Sequence, residues 1–135
     1  MTRGEINNNP TNIRQSGNVW WGMAPAQTDP DFVQFQQAEY GLRAACKILM
    51  SYAGRGLNTV QSIIDEWAPP IENDSTAYIE DACQRTGYTC DQTLNMSDPT
   101  VLASLLKAIV WHENGAQPYD DGTINAAVRL AVAVA

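Results

Sequence analysis

Apolar residues recur at intervals of three and four over residues 37–53, where Leu42, Cys46 and Leu49, joined by Ala45 and Tyr52, make one stripe. That period is the mark of an α-helix with one buried face, and Gly54 and Gly56 are placed to end it. Asn58 is the expected cap of a second helix over 59–67, which carries Val60, Ile63, Ile64 and Trp67 on one side. Ala68-Pro69-Pro70 stops it, because proline disfavours helix in the residue before it. A third helix is expected over 75–86, capped by Asp74 or Ser75, with Tyr78, Ile79 and Cys83 turned inward. Asp98 and Pro99 open a fourth, since proline is well tolerated in a first turn. Its core face is Leu102, Leu105, Leu106 and Ile109, and Asn114-Gly115 closes it. A last helix is expected over 123–132. The pattern therefore predicts a mainly α, single compact domain of about five helices, with irregular connections and at most a short β-hairpin. The first and fourth helices carry the longest stripes and are expected to pack together at its centre.

The periodicity is missing from the first 35 residues. Residues 3–14 hold a carboxylate, four asparagines, a proline and two arginines. Asparagine side chains compete with the backbone for hydrogen bonds, and Pro10 removes a donor, so an ordered loop is expected rather than a helix or strand. Amide side chains both donate and accept, which suits a sugar or a peptide. At least one of Asn7, Asn9 and Asn12 is expected to bond the backbone of residues 67–76, the second polar stretch. Gly17-Asn18 and Asp29-Pro30-Asp31 read as turns around Val19-Trp20-Trp21 and Phe32-Val33-Gln34-Phe35. One tryptophan of the Trp20-Trp21 pair is expected to be buried and the other partly exposed.

At 135 residues the chain is long enough to bury a core without metals or disulfides. Its net charge of -7 disfavours nucleic acid or an anionic membrane surface as the main partner. The N-terminus is polar from Thr2 and shows no secretory pattern, and no run approaches membrane-spanning length. Residues 128–135 are apolar but short and interrupted by Arg129. Synthesis in the bacterial cytoplasm is expected, with no membrane insertion. Three cysteines are an odd count. Cys46 lies in an apolar run and reads as a buried free thiol. Cys83 and Cys90 flank Gly87 and are either a disulfide, in an oxidising compartment, or two reduced thiols. Their spacing fits no zinc site, His112 has no plausible set of co-ligands, and neither a metal nor a cofactor is expected.

Six segments, taken in order, carry a resemblance: Arg3-Gly4-Glu5-x-Asn7-Asn8-Asn9-Pro10-x-Asn12-Ile13-Arg14, Trp20-Trp21-Gly22-Met23, Asp31-Phe32-x-x-Phe35, Tyr40-Gly41-Leu42-Arg43-Ala44, Trp67-Ala68-Pro69-Pro70-x-Glu72-Asn73-Asp74-x-Thr76-x-Tyr78 and His112-Glu113-Asn114-Gly115-x-x-Pro118-Tyr119. As a set they resemble a family of small phage and prophage virion-associated structural proteins similar to lysozyme-like peptidoglycan hydrolases. Thr11 stands where that family usually has glycine, and Ile6 where a basic residue is common. The resemblance implies a lysozyme-like domain over residues 1–135, with peptidoglycan glycan strands as the partner. It also implies action in the periplasm or from a virion, with a phage tail, a holin or a secretion apparatus carrying the protein across the inner membrane.

Cleaving a glycosidic bond needs a carboxylic acid beside the leaving oxygen. It also needs a second carboxylate, or, as in lytic transglycosylases, a substrate hydroxyl acting as nucleophile beside a single Glu. Glu5 leads directly into the amide-rich loop and is the first candidate acid, although only four residues precede it. Glu113, at the end of the fourth helix, is its rival. Glu72 is a further reserve, and its other reading, with Asn73, is loop bracing. Asn7, Asn9, Asn12, Asn73 and Tyr78 would line a subsite, and Trp20 or Trp21 would offer a stacking wall. Two functions stay open at this level: a muramidase or lytic transglycosylase, or a noncatalytic virion structural or glycan-binding module.

Overall fold

A computed structural model describes residues 1–69 and 74–133. It is mainly helical: α1 (Arg3–Ile6), α2 (Ala38–Ala53), α3 (Val60–Trp67), α4 (Ser75–Thr86), α5 (Pro99–Asn114) and α6 (Asp121–Ala133). Five of these follow the apolar periodicity within two residues at each end. The sixth, α1, replaces the first part of the expected loop. Thr2 accepts from the Glu5 amide at 3.1 Å, and Glu5 Oε1 accepts from the Thr2 amide at 3.3 Å. This reciprocal pair is the capping box, and its Thr-x-x-Glu pattern is enough to close one turn.

Local chemistry fixes the other ends. Thr59, not Asn58, caps α3, because Ser62 answers it in a second reciprocal pair. Asp74 caps α4, Asp98 caps α5, and Gly115 at φ 71° closes α5 in the left-handed region. Between α1 and α2 the described residues form no named strand. Two isolated antiparallel bridges, Arg14 to Phe32 and Met23 to Phe35, stand where a short hairpin was the upper limit expected.

The core is built from Leu42, Leu49, Ile63, Ile64, Leu102, Leu105, Leu106, Ile109 and Ile124, all shut away from solvent. Both long stripes are buried, and α2 touches α5 as expected. The most extensive partner of α2 is nevertheless α6, while α5 packs chiefly on α4 and also on α6. The tail helix thus enters the centre, because Ile124, Ala127, Val128 and Ala131 give it a complete apolar face.

Cys83 and Cys90 form a disulfide with Cα atoms 5.7 Å apart, and Cys46 is free and buried. The bridge clips the end of α4 to the segment before α5. The carbonyl of Cys90 also accepts from Gln61 of α3 at 3.1 Å.

Candidate functional site

The loop from residue 7 to 14 is held from within. Asn9 is wholly buried; its Nδ2 donates to the carbonyls of Ile13 (3.0 Å) and Val33 (2.9 Å), and its Oδ1 accepts from the Ile13 amide (3.0 Å). Asn7 is also buried and donates to Asp29 at 2.9 Å. Asp29 in turn accepts from Arg3 at 2.7 Å and from the amides of Asp31 and Phe32. The Arg3 contact above all, against some desolvation, and then Asn7 hold the Asp29 carboxyl well below the usual carboxylate range. The partners of Asn7 and Asn9 are therefore residues 13 and 29–35. Among the described residues the expected bond to residues 67–76 is not made, because the Asp29 turn folds back onto the loop first.

Asn12 differs from its neighbours. It stands at φ 56°, a left-handed conformation that asparagine tolerates, and its Nδ2 donates to Glu113 Oε1 at 3.1 Å. Glu113 is in the last turn of α5. The next residue, Asn114, anchors this junction. Its Nδ2 donates to the carbonyls of Pro10 (2.7 Å) and Val110 (2.8 Å), and its Oδ1 accepts from Thr2 Oγ1 (2.6 Å). One asparagine thus ties the helix end, the polar loop and the cap of α1 together.

Beside this junction lies a polar cavity of about 200 Å³, walled by Thr11, Asn12, Arg14, Phe32, Trp67, Ala68 and Glu113. A second cavity of about 300 Å³ shares Asn12, Arg14 and Trp67 and continues past Ile48, Tyr52 and Glu66 to Pro69. Together they form a groove lined by two carboxylates, Glu113 in the first cavity and Glu66 in the second, and by an aromatic wall. Two buried atoms of the wall residues, Thr11 Oγ1 and Asn12 Oδ1, find no hydrogen-bond partner among the described residues.

Tyr78 lies against this junction rather than in the groove. It is buried and stacks on His112 with ring centres 3.7 Å apart. His112 Nδ1 is 3.1 Å from Asp81 Oδ2. Burial, and then the charge of neighbouring Glu113, push the Tyr78 phenol well above its usual range, so it stays protonated.

The candidate residues separate accordingly. Asn12 and Glu113 are brought together. The Glu5 carboxylate is engaged in the capping box and is not among the residues walling the groove. The amides of Asn7 and Asn9 are taken up by Asp29, Val33, Gln34 and the Ile13 backbone. Tyr78 presents no open face for a sugar. Trp20 is half-buried rather than buried, and Trp21, 51 % exposed, has Arg43 stacked over its ring at 4.1 Å. Neither wall of the groove uses them; Trp67 supplies the aromatic surface instead. Glu72 and Asn73 lie outside the described residues. Thr11, Arg14, Trp67 and Asn114 escaped sequence reasoning. Trp67 read as a core residue of α3, and no local signal points Asn114 at Thr2 and Pro10, about a hundred positions away.

Fold and site define a small, mainly helical domain with an amide- and carboxylate-lined groove where its N-terminal loop meets a helix end. No protein-family model matches the chain. The chain belongs to the family of Protein P5 of Pseudoalteromonas phage PM2, with which it shares 40% identity over 121 residues, 87% of this chain and 74% of the phage protein. It is thus a protein of bacteriophage type. No helix among the described residues is long and apolar enough to cross a membrane.

Proposed function

We propose that this protein cleaves the glycan strands of peptidoglycan, with Glu113 as the general acid. The observation that carries the reading is the Glu113 carboxylate at the end of α5, in the wall of a polar groove and bonded by Asn12. A glycosidase needs an acid held at the edge of a cleft that a sugar chain can enter. Glu113 in the groove wall supports that role, while the Glu5 carboxylate is engaged in the capping box of α1.

Among the described residues Glu113 is the sole carboxylate of the polar cavity. Glu66, in the adjoining one, is paired with Arg55 at 3.3 Å. One acid suits a lytic transglycosylase better than a two-carboxylate hydrolase. The protonated carboxyl gives its proton to the glycosidic oxygen as the C1–O bond breaks. The resulting carboxylate then takes the proton of the sugar's own C6 hydroxyl, whose oxygen bonds to C1 and leaves an anhydro end. Delivery from a virion or into the periplasm fits the phage family and the Cys83–Cys90 disulfide, which persists in oxidising surroundings.

Zymography on purified cell walls tests the reading. Glu113→Gln keeps the side chain's shape and removes the acid, so activity falls by about 10²–10⁴-fold. Glu5→Gln lowers stability and leaves clearing by the folded fraction intact. Mass analysis of the products separates anhydro ends from hydrolysed ones. A parent protein that clears no cell wall gives the groove to a noncatalytic binding module.

A further inference from the structure

We propose that the cleft between the end of α4 and the outer face of α5 binds a carboxylate carried on a small apolar group, of the kind that ends a peptide chain. Arg85 and Lys107 hold the carboxylate, the Ser104 hydroxyl is a further donor, and Trp111 and Ala108 are the apolar floor. The cleft shares no lining residue with the Glu113 groove and is independent of what that groove does.

Most of α5 is covered by α2, α4 and α6. Ser104, Lys107, Ala108 and Trp111 recur at three and four residues and share one stripe of it. With Arg85 of α4 and Gln117 of the following loop they wall a cavity of about 200 Å³. Trp111 and Glu113 are two residues apart on one helix, so at about 100° per residue their side chains leave it on opposite sides.

The Arg85 guanidinium lies over the Trp111 ring at 4.1 Å, and Asp81 takes its Nε alone, at 2.9 and 3.1 Å. The Nη groups have no hydrogen-bond partner among the described residues, and two guanidinium N–H groups match the two oxygens of a carboxylate. Lys107 Nζ is 2.9 Å from Asp121, whose side chain is 80% exposed, so water weakens that pair. Ser104 is half-buried and, unlike Ser51 and Thr86, returns its hydroxyl to no helix carbonyl among the described residues. Gln117 is occupied: its Nε2 donates to the Lys107 carbonyl and its Oε1 accepts from the Tyr119 amide, both at 3.3 Å. The groups turned to the cavity are therefore donors, and two of them are cations. A chain of net charge -7 repels anions in general, so a bound anion needs a local pair of this kind. Asp81 and Asp121 balance the two cations, which disfavours a doubly charged phosphate against a singly charged carboxylate. At roughly 30 Å³ per water, a cavity of about 200 Å³ has room for a carboxylate and one small residue.

NMR titration of the full, isotope-labelled chain tests the site, read at the Trp111 indole N–H and the Ser104 and Lys107 amides. The probes are N-acetyl-L-alanyl-L-alanine and N-acetyl-D-alanyl-D-alanine, each as free acid and as C-terminal amide, and inorganic phosphate. At least one free acid shifts these signals and binds tenfold or more tightly than its amide and than phosphate. Preference for the L acid assigns the site to the end of a protein chain, and preference for the D acid to a peptidoglycan stem. Equal affinity of the two acids supports a site that reads the carboxylate alone. Arg85→Gln and Lys107→Gln each lower the affinity about tenfold, since each removes a charged donor, and added salt lowers it too. Arg129→Gln, outside the cleft, leaves binding unchanged. Thermal midpoints hold in all three variants, because exposed ion pairs contribute little. Should a variant fold poorly, the acid-to-amide ratio of the unaltered chain decides alone. The proposal is overturned by equal affinity for acids and amides, by tighter binding of phosphate, by shifts confined to other parts of the molecule, or by no binding of any probe. Full binding by both Arg85→Gln and Lys107→Gln overturns it as well.

Discussion

Asn9 shows how a single polar side chain can replace secondary structure. Its amide bonds three backbone groups that the irregular segment could not satisfy itself. Asn9→Ala leaves a buried N–H and two carbonyls without those partners. It should cost about 3 kcal/mol in chemical denaturation, whereas an exposed asparagine such as Asn18 should cost little when replaced. A loss under half a kilocalorie would mean that water replaces the amide. At this scale the amide-rich run was legible as an ordered loop. Its partners were not, because an asparagine offers the same groups to a ligand and to its own backbone. Glu5 carries a related ambiguity. The Thr2-x-x-Glu5 spacing is a capping signal as well as a carboxylate leading into the loop, and in the fold the side chain answers the Thr2 amide.

Among the elements, the meeting of α2 with the loop is the tightest. A Cβ on Gly41 would lie 2.0 Å from the carbonyl oxygen of Asn8. No side chain fits there, and only glycine lets helix and loop backbones approach so closely. Alanine is the better helix former, so a change read on the helix alone would stabilise. Gly41→Ala should instead lower stability by about 1–3 kcal/mol, the usual cost of overpacking, with helical circular dichroism retained below the transition. A raised melting temperature would show that the loop gives way freely. The helices themselves were readable from their apolar period and end residues. The exceptions were α1, whose single turn has too few residues to show a period, and the cap of α3, where Ser62 shifts the preference by one residue.

Across the whole molecule the covalent state of the cysteines gives a simple measurement. Burial raises the Cys46 thiol to about 11, so at neutral pH it is neither exposed nor ionised. A thiol reagent should therefore label no site in the native protein and one after denaturation. All three cysteines should react after reduction and denaturation. Labelling of more than one site in the denatured, unreduced protein would show that the bridge is absent. Loss of the bridge should lower stability by roughly 2–3 kcal/mol on the chain-entropy view of a short loop. The sequence left this pairing open, since a spacing of seven residues permits a bridge without requiring one.

Periodicity and end chemistry determined the mainly helical class, the positions of five helices and the burial of their stripes. These depend on contacts between residues three and four apart, which the chain carries in its own order. Membership of the phage family follows from that same order. The groove was decided by tertiary structure alone. Asn12 meets Glu113, and Asn114 meets Thr2 and Pro10, across about a hundred residues of chain. Each of those side chains had several equivalent local partners. The choice among them was made only when α5, packed on α4, α6 and α2, delivered its last turn to the N-terminal loop.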